Sequence, residues 1–163
     1  MKYHRLVACI LALSLMTTLF ALAQDKAKKP IIKSKKEKVK VNDSTASKTK
    51  DMAVIETSMG TIEVELYPAD APKTVENFEK LTAKKYFDGM RVHRVAKNFV
   101  IQTGDDKSKD TKLADQWGTG GQSIWGKEFE DELNSNAPSY KEGYKKGVLA
   151  MANRGPNTNT SQF

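Results

Sequence analysis

The sequence predicts an all-β barrel with helical plugs, preceded by segments that belong to no core. Three observations carry that reading. Residues 61–67 alternate strictly between apolar and polar, the pattern of a half-buried strand. Further short apolar runs, at 91–95, 99–103 and 147–152, are bounded by Gly, Asn, Asp or Pro. Only residues 70–84 carry apolar residues at helical spacing. Many short strands with turn signals and one intervening helix suit a closed β architecture.

The first segment, 1–23, reads as a signal peptide. Lys2 and Arg5 precede an apolar run from Leu6 to Leu22, and Ala21-Leu22-Ala23 supplies the small-x-small cleavage pattern before Gln24. The alternative is an uncleaved membrane anchor, since the run is nearly long enough to span a bilayer. The expected location is accordingly periplasmic or extracellular. Cys9, the only cysteine, lies too early in the apolar run to be a lipidation site. Cleavage removes it, so the mature chain has no disulfide, thiolate metal site or Cys nucleophile.

Residues 24–50 carry ten Lys against three acidic residues, a net +7, whereas residues 51–163 carry 15 Lys+Arg against 17 Asp+Glu, a net −2. The basic character therefore belongs to the tail, and the following segment lacks the basic patch expected of a nucleic-acid-binding domain. With no aromatic residue and few apolar ones, 24–50 is read as a disordered linker. Electrostatic contact with an anionic surface is the alternative.

From residue 51 the texture changes. Ala53–Thr57 reads as a strand, and Ser58-Met59-Gly60 as a turn using Gly where positive φ is cheap. Thr61–Tyr67 then places Ile62, Val64 and Leu66 on one face, completing a hairpin. Asp70 is positioned as an N-cap with Pro72 in the first turn. Val75, Phe78 and Leu81 mark the inner face of a helix running to about Lys84. Strands are expected at Arg91–Val95 and Phe99–Thr103, followed by a long polar stretch, Gly104–Trp117, and the cluster Gly118-Thr119-Gly120-Gly121. No Gly-Lys-Ser/Thr follows those glycines, which excludes a phosphate-binding loop. Asp105, Asp106 and Asp110 are interrupted by Lys107 and Lys109, which argues against a calcium loop. No metal site and no cofactor are expected.

Motifs carry the function further than composition does. Val92-His93-Arg94-Val95 with Asn98-Phe99-Val100-Ile101-Gln102-Thr103-Gly104-Asp105 forms one block. Gly118–Gly121 with Ser123-Ile124-Trp125-Gly126 and Glu128–Glu132 forms a second, and Met151-Ala152-Asn153, Gly155–Asn159 and Ser161-Gln162-Phe163 a third. In this order, across residues 51–163, they resemble the cyclophilin-type peptidyl-prolyl cis–trans isomerases, in particular exported, bacterial-like members. The resemblance implies an eight-stranded antiparallel barrel with capping helices, and an enzyme that accelerates folding of exported proteins by twisting X–Pro bonds. Its partners are proline-containing peptides and unfolded proteins, and a monomer is expected.

Residue by residue, the resemblance assigns Arg94 as the donor to the proline nitrogen and Gln102 as the amide that holds it. Phe99 and Val100 match walls of the proline pocket, with Val100 in place of the commoner Met. Gly121 lies on the rim. Ala152 and Asn153 match the edge that binds the residue before proline, and Gln162 and Phe163 match the far side of the groove. Adjacent to Arg94 on a strand, His93 faces the other way and packs rather than catalyses. Arg154 stands where many members carry a small residue, and a cation there would favour an acidic residue near the substrate's proline. Two rival readings are a proline-peptide binding module with little turnover and a polyanion-binding protein acting through residues 24–50. The resemblance also implies that these residues cover the N-terminal two-thirds of the domain, so that an incomplete barrel, unstable and inactive by itself, is expected.

Overall fold

The computed structural model describes residues 31–37 and 50–163. The apolar segment 1–23, with Cys9, and linker residues 24–30 and 38–49 lie outside the described residues. Strands β2 (Lys50–Thr57) and β3 (Gly60–Leu66) form the expected antiparallel hairpin, with Thr57 opposite Gly60, Ile55 opposite Ile62 and Ala53 opposite Val64. The Thr57 hydroxyl closes the turn by donating to the Gly60 carbonyl at 2.7 Å. Period-2 alternation puts Ala53 and Ile55 into the core, with Val64 and Leu66 packed against it. Ile62 shares that face but sits near the hairpin tip, where it is 44% exposed.

The linker reading needs correction over seven residues. Ile31–Glu37 forms strand β1, antiparallel to β2, with Ile32 opposite Ile55. The lysine-rich average of residues 24–50 hides the Ile31-Ile32 pair. Ile32 is buried in the same cluster as Ala53 and Ile55, and Lys33 pairs with Glu56 at 3.1 Å. The β2 edge supplies the backbone hydrogen bonds that an isolated polar segment lacks.

Helix α1 (Pro72–Ala83) buries Val75, Phe78 and Leu81 as the spacing predicts. Phe78 and Leu81 meet Ile32, Ala53, Ile55, Phe87 and Met90 in one core cluster. The N-terminus departs from expectation. Ala71 occupies the N-cap position without a side-chain bond, and Asp70 instead accepts the N–H of Ser139 at 3.0 Å. The free N–H groups of Lys73 and Thr74 donate to the Glu132 carboxylate at 3.0 and 2.8 Å. A remote carboxylate thus performs the capping, favoured by the positive end of the helix dipole. Asn77, 1% exposed on the inner face of α1, donates to the Thr160 carbonyl at 2.7 Å and accepts the Ile124 N–H at 2.9 Å. One buried amide therefore ties the helix to two loops.

Strands β4 (Arg94–Ala96) and β5 (Val100–Gln102) pair antiparallel, with Arg94 opposite Gln102. They are shorter than the sequence runs, although the His93 N–H still donates to the Gln102 carbonyl at 3.1 Å. The polar stretch after them folds into two 3-10 turns, Asp106–Lys109 and Thr111–Gln116, capped by the Asp105 and Asp110 carboxylates. A short helix α2 (Pro138–Glu142) has no periodic signal in the sequence. Among the described residues five strands form two antiparallel sheets, ordered β1–β2–β3 and β4–β5. The β character is as expected, with five strands described against the eight that the resemblance implies.

Because Ile32 anchors β1 in the core, Ile32→Ala is expected to destabilise the fold by about 2–4 kcal/mol, the usual cost of truncating a buried Ile. Urea unfolding measures this. An unchanged midpoint would mean that β1 contributes nothing to the packed structure.

Candidate active site

The β4–β5 hairpin projects Arg94 and Gln102 side by side, because directly paired residues in an antiparallel ladder share a face. The Arg94 guanidinium donates from Nη1 to Gln102 Oε1 at 3.1 Å. Gln102 Nε2 donates to Gln162 Oε1 at 2.8 Å. Gln162 Nε2 donates to the carbonyls of Gly118 and Gly120 at 3.1 and 2.7 Å. The backbone N–H groups of those two glycines donate to the carboxylate of Asp105, which is fully buried. The chain of bonds has one direction. Two carbonyl acceptors fix the Gln162 amide with nitrogen toward the glycines, so its oxygen faces Gln102. The Gln102 amide is oriented in turn, with its oxygen toward Arg94.

This requires the glycine segment to lie close to Asp105. A Cβ built on Gly120 would collide with the carboxylates of Asp105 and Asp106. The N–H of Gly121 donates to Asp106 Oδ1 at 2.9 Å, so the glycine cluster at the rim is pinned by two adjacent aspartates. Asp105 and Asp106 were not among the predicted site residues. Their signal is positional: an Asp pair directly after Gln102-Thr103-Gly104, opposite a glycine run, reads as a receptor for backbone N–H groups.

The remaining predicted residues divide. The phenyl ring of Phe99 is 78% exposed, and the Arg94 guanidinium carbon stands 5.9 Å from its centroid, a cation–π geometry that adds a second support for the arginine. Val100 is half-buried beside it, and Val95 and Ile101 are exposed on the same hairpin. Ala152 donates its N–H to the Gln162 carbonyl at 2.9 Å. Together with Gln102, Gly118, Asn153, Arg154 and Gln162 it lines a cleft of about 60 Å³. Phe163 does not join them. Its backbone pairs with Thr103, but its ring lies 5.5 Å from Phe78 and 5.6 Å from Phe87, edge to face, in the core. In an extended segment successive side chains point to opposite sides, so Gln162 facing the groove sends Phe163 inward. Arg154 is paired with Glu128 at 2.5 Å, and the Asp131 carboxylate accepts the Asn157 N–H at 3.0 Å and Asn159 Nδ2 at 2.7 Å, bracing the loop that carries Asn153.

The His93 ring lies against Gly118. Both of its ring nitrogens are buried without a hydrogen-bond partner. Burial holds its pKa below the usual histidine value, and the charge of Asp105 opposes that only in part.

With the geometry in place, comparison with known proteins is direct. The family described as "Cyclophilin type peptidyl-prolyl cis-trans isomerase/CLD" matches residues 52–163. Peptidyl-prolyl cis-trans isomerase-like 1 of Mus musculus is 49% identical over 109 residues, covering 67% of this chain and 58% of that protein. Peptidylprolyl isomerase domain and WD repeat-containing protein 1, also of Mus musculus, is 46% identical over 113 residues, covering 69% of this chain and 16% of that protein. The chain therefore spans less than two thirds of the length of these curated relatives. Among solved structures, a cyclophilin type peptidyl-prolyl cis-trans isomerase of Cryptosporidium parvum, crystallised in the presence of dipeptide Ala-Pro, superposes with a TM-score of 0.53. It is 34% identical, over 63% of this chain and 59% of that one.

The orphaned imidazole has a consequence for pH. The folded His93 binds its proton less readily than the unfolded one, whose value is 6.5. Below that pH the unfolded state takes up the proton first, so stability present above 6.5 is lost as pH falls towards the folded value. Denaturant midpoints measured between pH 7.5 and pH 5 are expected to decline more steeply in the wild type than in His93→Asn. Parallel profiles would remove His93 as the cause.

Proposed function

The chain belongs to the cyclophilin-type peptidyl-prolyl cis–trans isomerase family, and from that membership we propose that it accelerates rotation about X–Pro bonds in peptides and unfolded proteins, with Arg94 as the catalytic donor. The observation that carries the proposal is the unbroken hydrogen-bonded path from buried Asp105 to exposed Arg94.

The barrier to be lowered is amide resonance, ~18–20 kcal/mol. As the bond twists, the proline nitrogen regains its lone pair and becomes a hydrogen-bond acceptor, which it is in neither planar ground state. A donor aimed at that nitrogen therefore binds the transition state preferentially. The guanidinium offers five N–H donors in a fixed plane. Gln102 engages one Nη1 donor, leaving others for the substrate, and the path behind Gln102 removes the rotational freedom the side chain would otherwise lose on binding. Phe99 and Val100 supply apolar surface for the proline ring, while Ala152, Asn153, Gly121 and Gln162 receive the chain before it. No bond between heavy atoms is made or broken, so the reaction calls for no base, nucleophile, metal or cofactor.

The exposed Val95, Phe99 and Ile101 also suit a module that binds proline peptides without turnover. Arg94→Ala separates the two readings in a protease-coupled proline-peptide assay. Catalysis by Arg94 predicts a loss in kcat/KM of roughly 100-fold, the scale for removing one transition-state donor. Gln102→Ala is expected to lose about tenfold, since the guanidinium stays but is no longer held. Peptide affinity should persist in both variants. Wild-type binding without rate enhancement, or full activity in Arg94→Ala, would refute the assignment.

We further propose export, with residues 1–23 removed as a signal peptide and the protein acting as a monomer outside the cytoplasm. The supporting feature is the Lys2/Arg5, apolar-run, Ala21-Leu22-Ala23 order. Mass spectrometry of the protein secreted from its native cell is expected to find Gln24 as the first residue. An intact Met1–Ala23 segment on the membrane-bound protein would instead make it an anchor.

A further inference from the structure

A second concave surface lies apart from the Arg94 groove, where the C-terminal end of α1 meets the 3-10 turn Asp106–Lys109 and the loop at 122–126. The cavity is about 540 Å³, within the range of ligand-binding sites. Leu81, Ile124 and Tyr86 give it apolar and aromatic lining, and Lys84, Lys85 and Lys109 supply three ammonium groups. Among the described residues no carboxylate lines it, the nearby Asp106 carboxylate acting on the Tyr86 hydroxyl from outside the lining.

Three like charges around one cavity repel one another, and proteins ordinarily relieve this with acidic partners. Elsewhere in this chain they do: Lys73 pairs with Glu130, Lys80 with Glu76, Lys145 with Glu142 and Arg154 with Glu128. Among the described residues Lys84, Lys85 and Lys109 have no such ion pair. Asp106, three residues before Lys109, is instead engaged with the Gly121 N–H.

One of the three charges is held in place. The Lys109 ammonium stands 5.4 Å from the Tyr86 ring centroid, which holds the tip of a flexible side chain at the cavity. Lys85 has a φ of +57°, a left-handed conformation that Gly or Asn adopts with less strain after a helix. Three of the four C-terminal carbonyls of α1, which would repel an anion, are occupied, since Lys80, Leu81 and Thr82 accept N–H groups from Lys84, Tyr86 and Lys85 respectively.

We propose that this cavity is an accessory docking site for an acidic, extended segment of polypeptide. Its volume suits a few side chains, not a lipid surface or a duplex. Residues 51–163 carry a net −2, so extended polyanions gain little from the surface around it. The mixture of apolar lining with ammonium groups suits a segment in which Asp or Glu alternates with apolar residues. The site is independent of turnover at Arg94.

The test titrates the full-length protein into a fluorescent, proline-free peptide of alternating Glu and Leu, read by anisotropy. Binding is expected, weakening as salt rises from about 50 to about 300 mM, because exposed charges are screened. The triple variant Lys84→Gln, Lys85→Gln, Lys109→Gln should bind about tenfold more weakly, as expected for the loss of three exposed ion pairs. Arg94→Ala should bind like wild type. The single variant Lys109→Glu, outside the helix, should weaken binding in the same direction and guards against a triple variant that fails to fold. Failure of the wild type to bind, equal binding by the lysine variants, or equal binding of a Gln-Leu peptide would overturn the proposal. So would tighter, lysine-dependent binding of inorganic phosphate or phosphatidylserine vesicles, which would make the site one for phosphate groups.

Discussion

The candidate site depends on a carboxylate that never reaches it. Asp105 is fully buried, and a buried carboxylate is tolerable only when hydrogen bonds replace its hydration. It takes N–H groups from Lys107, Gly118 and Gly120. Each of those bonds sets a backbone orientation, and the orientation of Gly118 and Gly120 presents their carbonyls to Gln162. From there two side-chain amides transmit the constraint to Arg94, each with its polarity dictated by the one before. A charge-assisted interaction in the interior, stronger than neutral hydrogen bonds, thereby fixes a solvent-exposed guanidinium. The exposed end needs this, because a free arginine side chain carries a large rotamer entropy that must be lost before it can act.

The loops on either side of this path are held from the helix side. Asn77 bonds both Ile124 and Thr160, and Glu132 caps α1 while the adjacent Asp131 braces Asn157 and Asn159. The helix thus serves less as a plug than as a jig. Its apolar face enters the core through Phe78 and Leu81, and its polar atoms position the segments 122–124 and 157–160. Apart from the antiparallel bridge between Phe129 and Asn159, backbone groups in those irregular segments find their partners on side chains.

What the sequence shows directly is what depends on neighbours in the chain. The β2–β3 hairpin follows from alternation and a two-residue turn, and α1 from the spacing of Val75, Phe78 and Leu81. What it conceals depends on partners far away. Asp70 has the right residue type for a cap, yet the Ser139 N–H claims it and Glu132, far along the chain, takes its place. β1 is invisible to composition because two isoleucines among lysines matter only once β2 offers an edge. Arg94, Gln102 and Gln162 are legible as a motif and do assemble. Phe163, in the same motif, faces the core because its neighbour faces the groove. Asp105 reads as one more acidic residue in a polar loop until the glycines fold over it.

Arg154 shows the same limit at the cleft edge. Read from sequence, it is a cation awaiting an acidic substrate residue. In the fold its guanidinium already holds Glu128, so the rim carries an ion pair rather than a net positive charge. The pair is largely exposed, with side chains 68% and 40% accessible, and such pairs contribute only ~0–1 kcal/mol. A substrate carboxylate would therefore have to exchange with Glu128, gaining only the difference between two weak surface contacts. Selectivity for acidic residues at this edge is limited by that exchange and not by the presence of the arginine. Lys84, Lys85 and Lys109 at the second cavity face no such ion-paired competitor among the described residues.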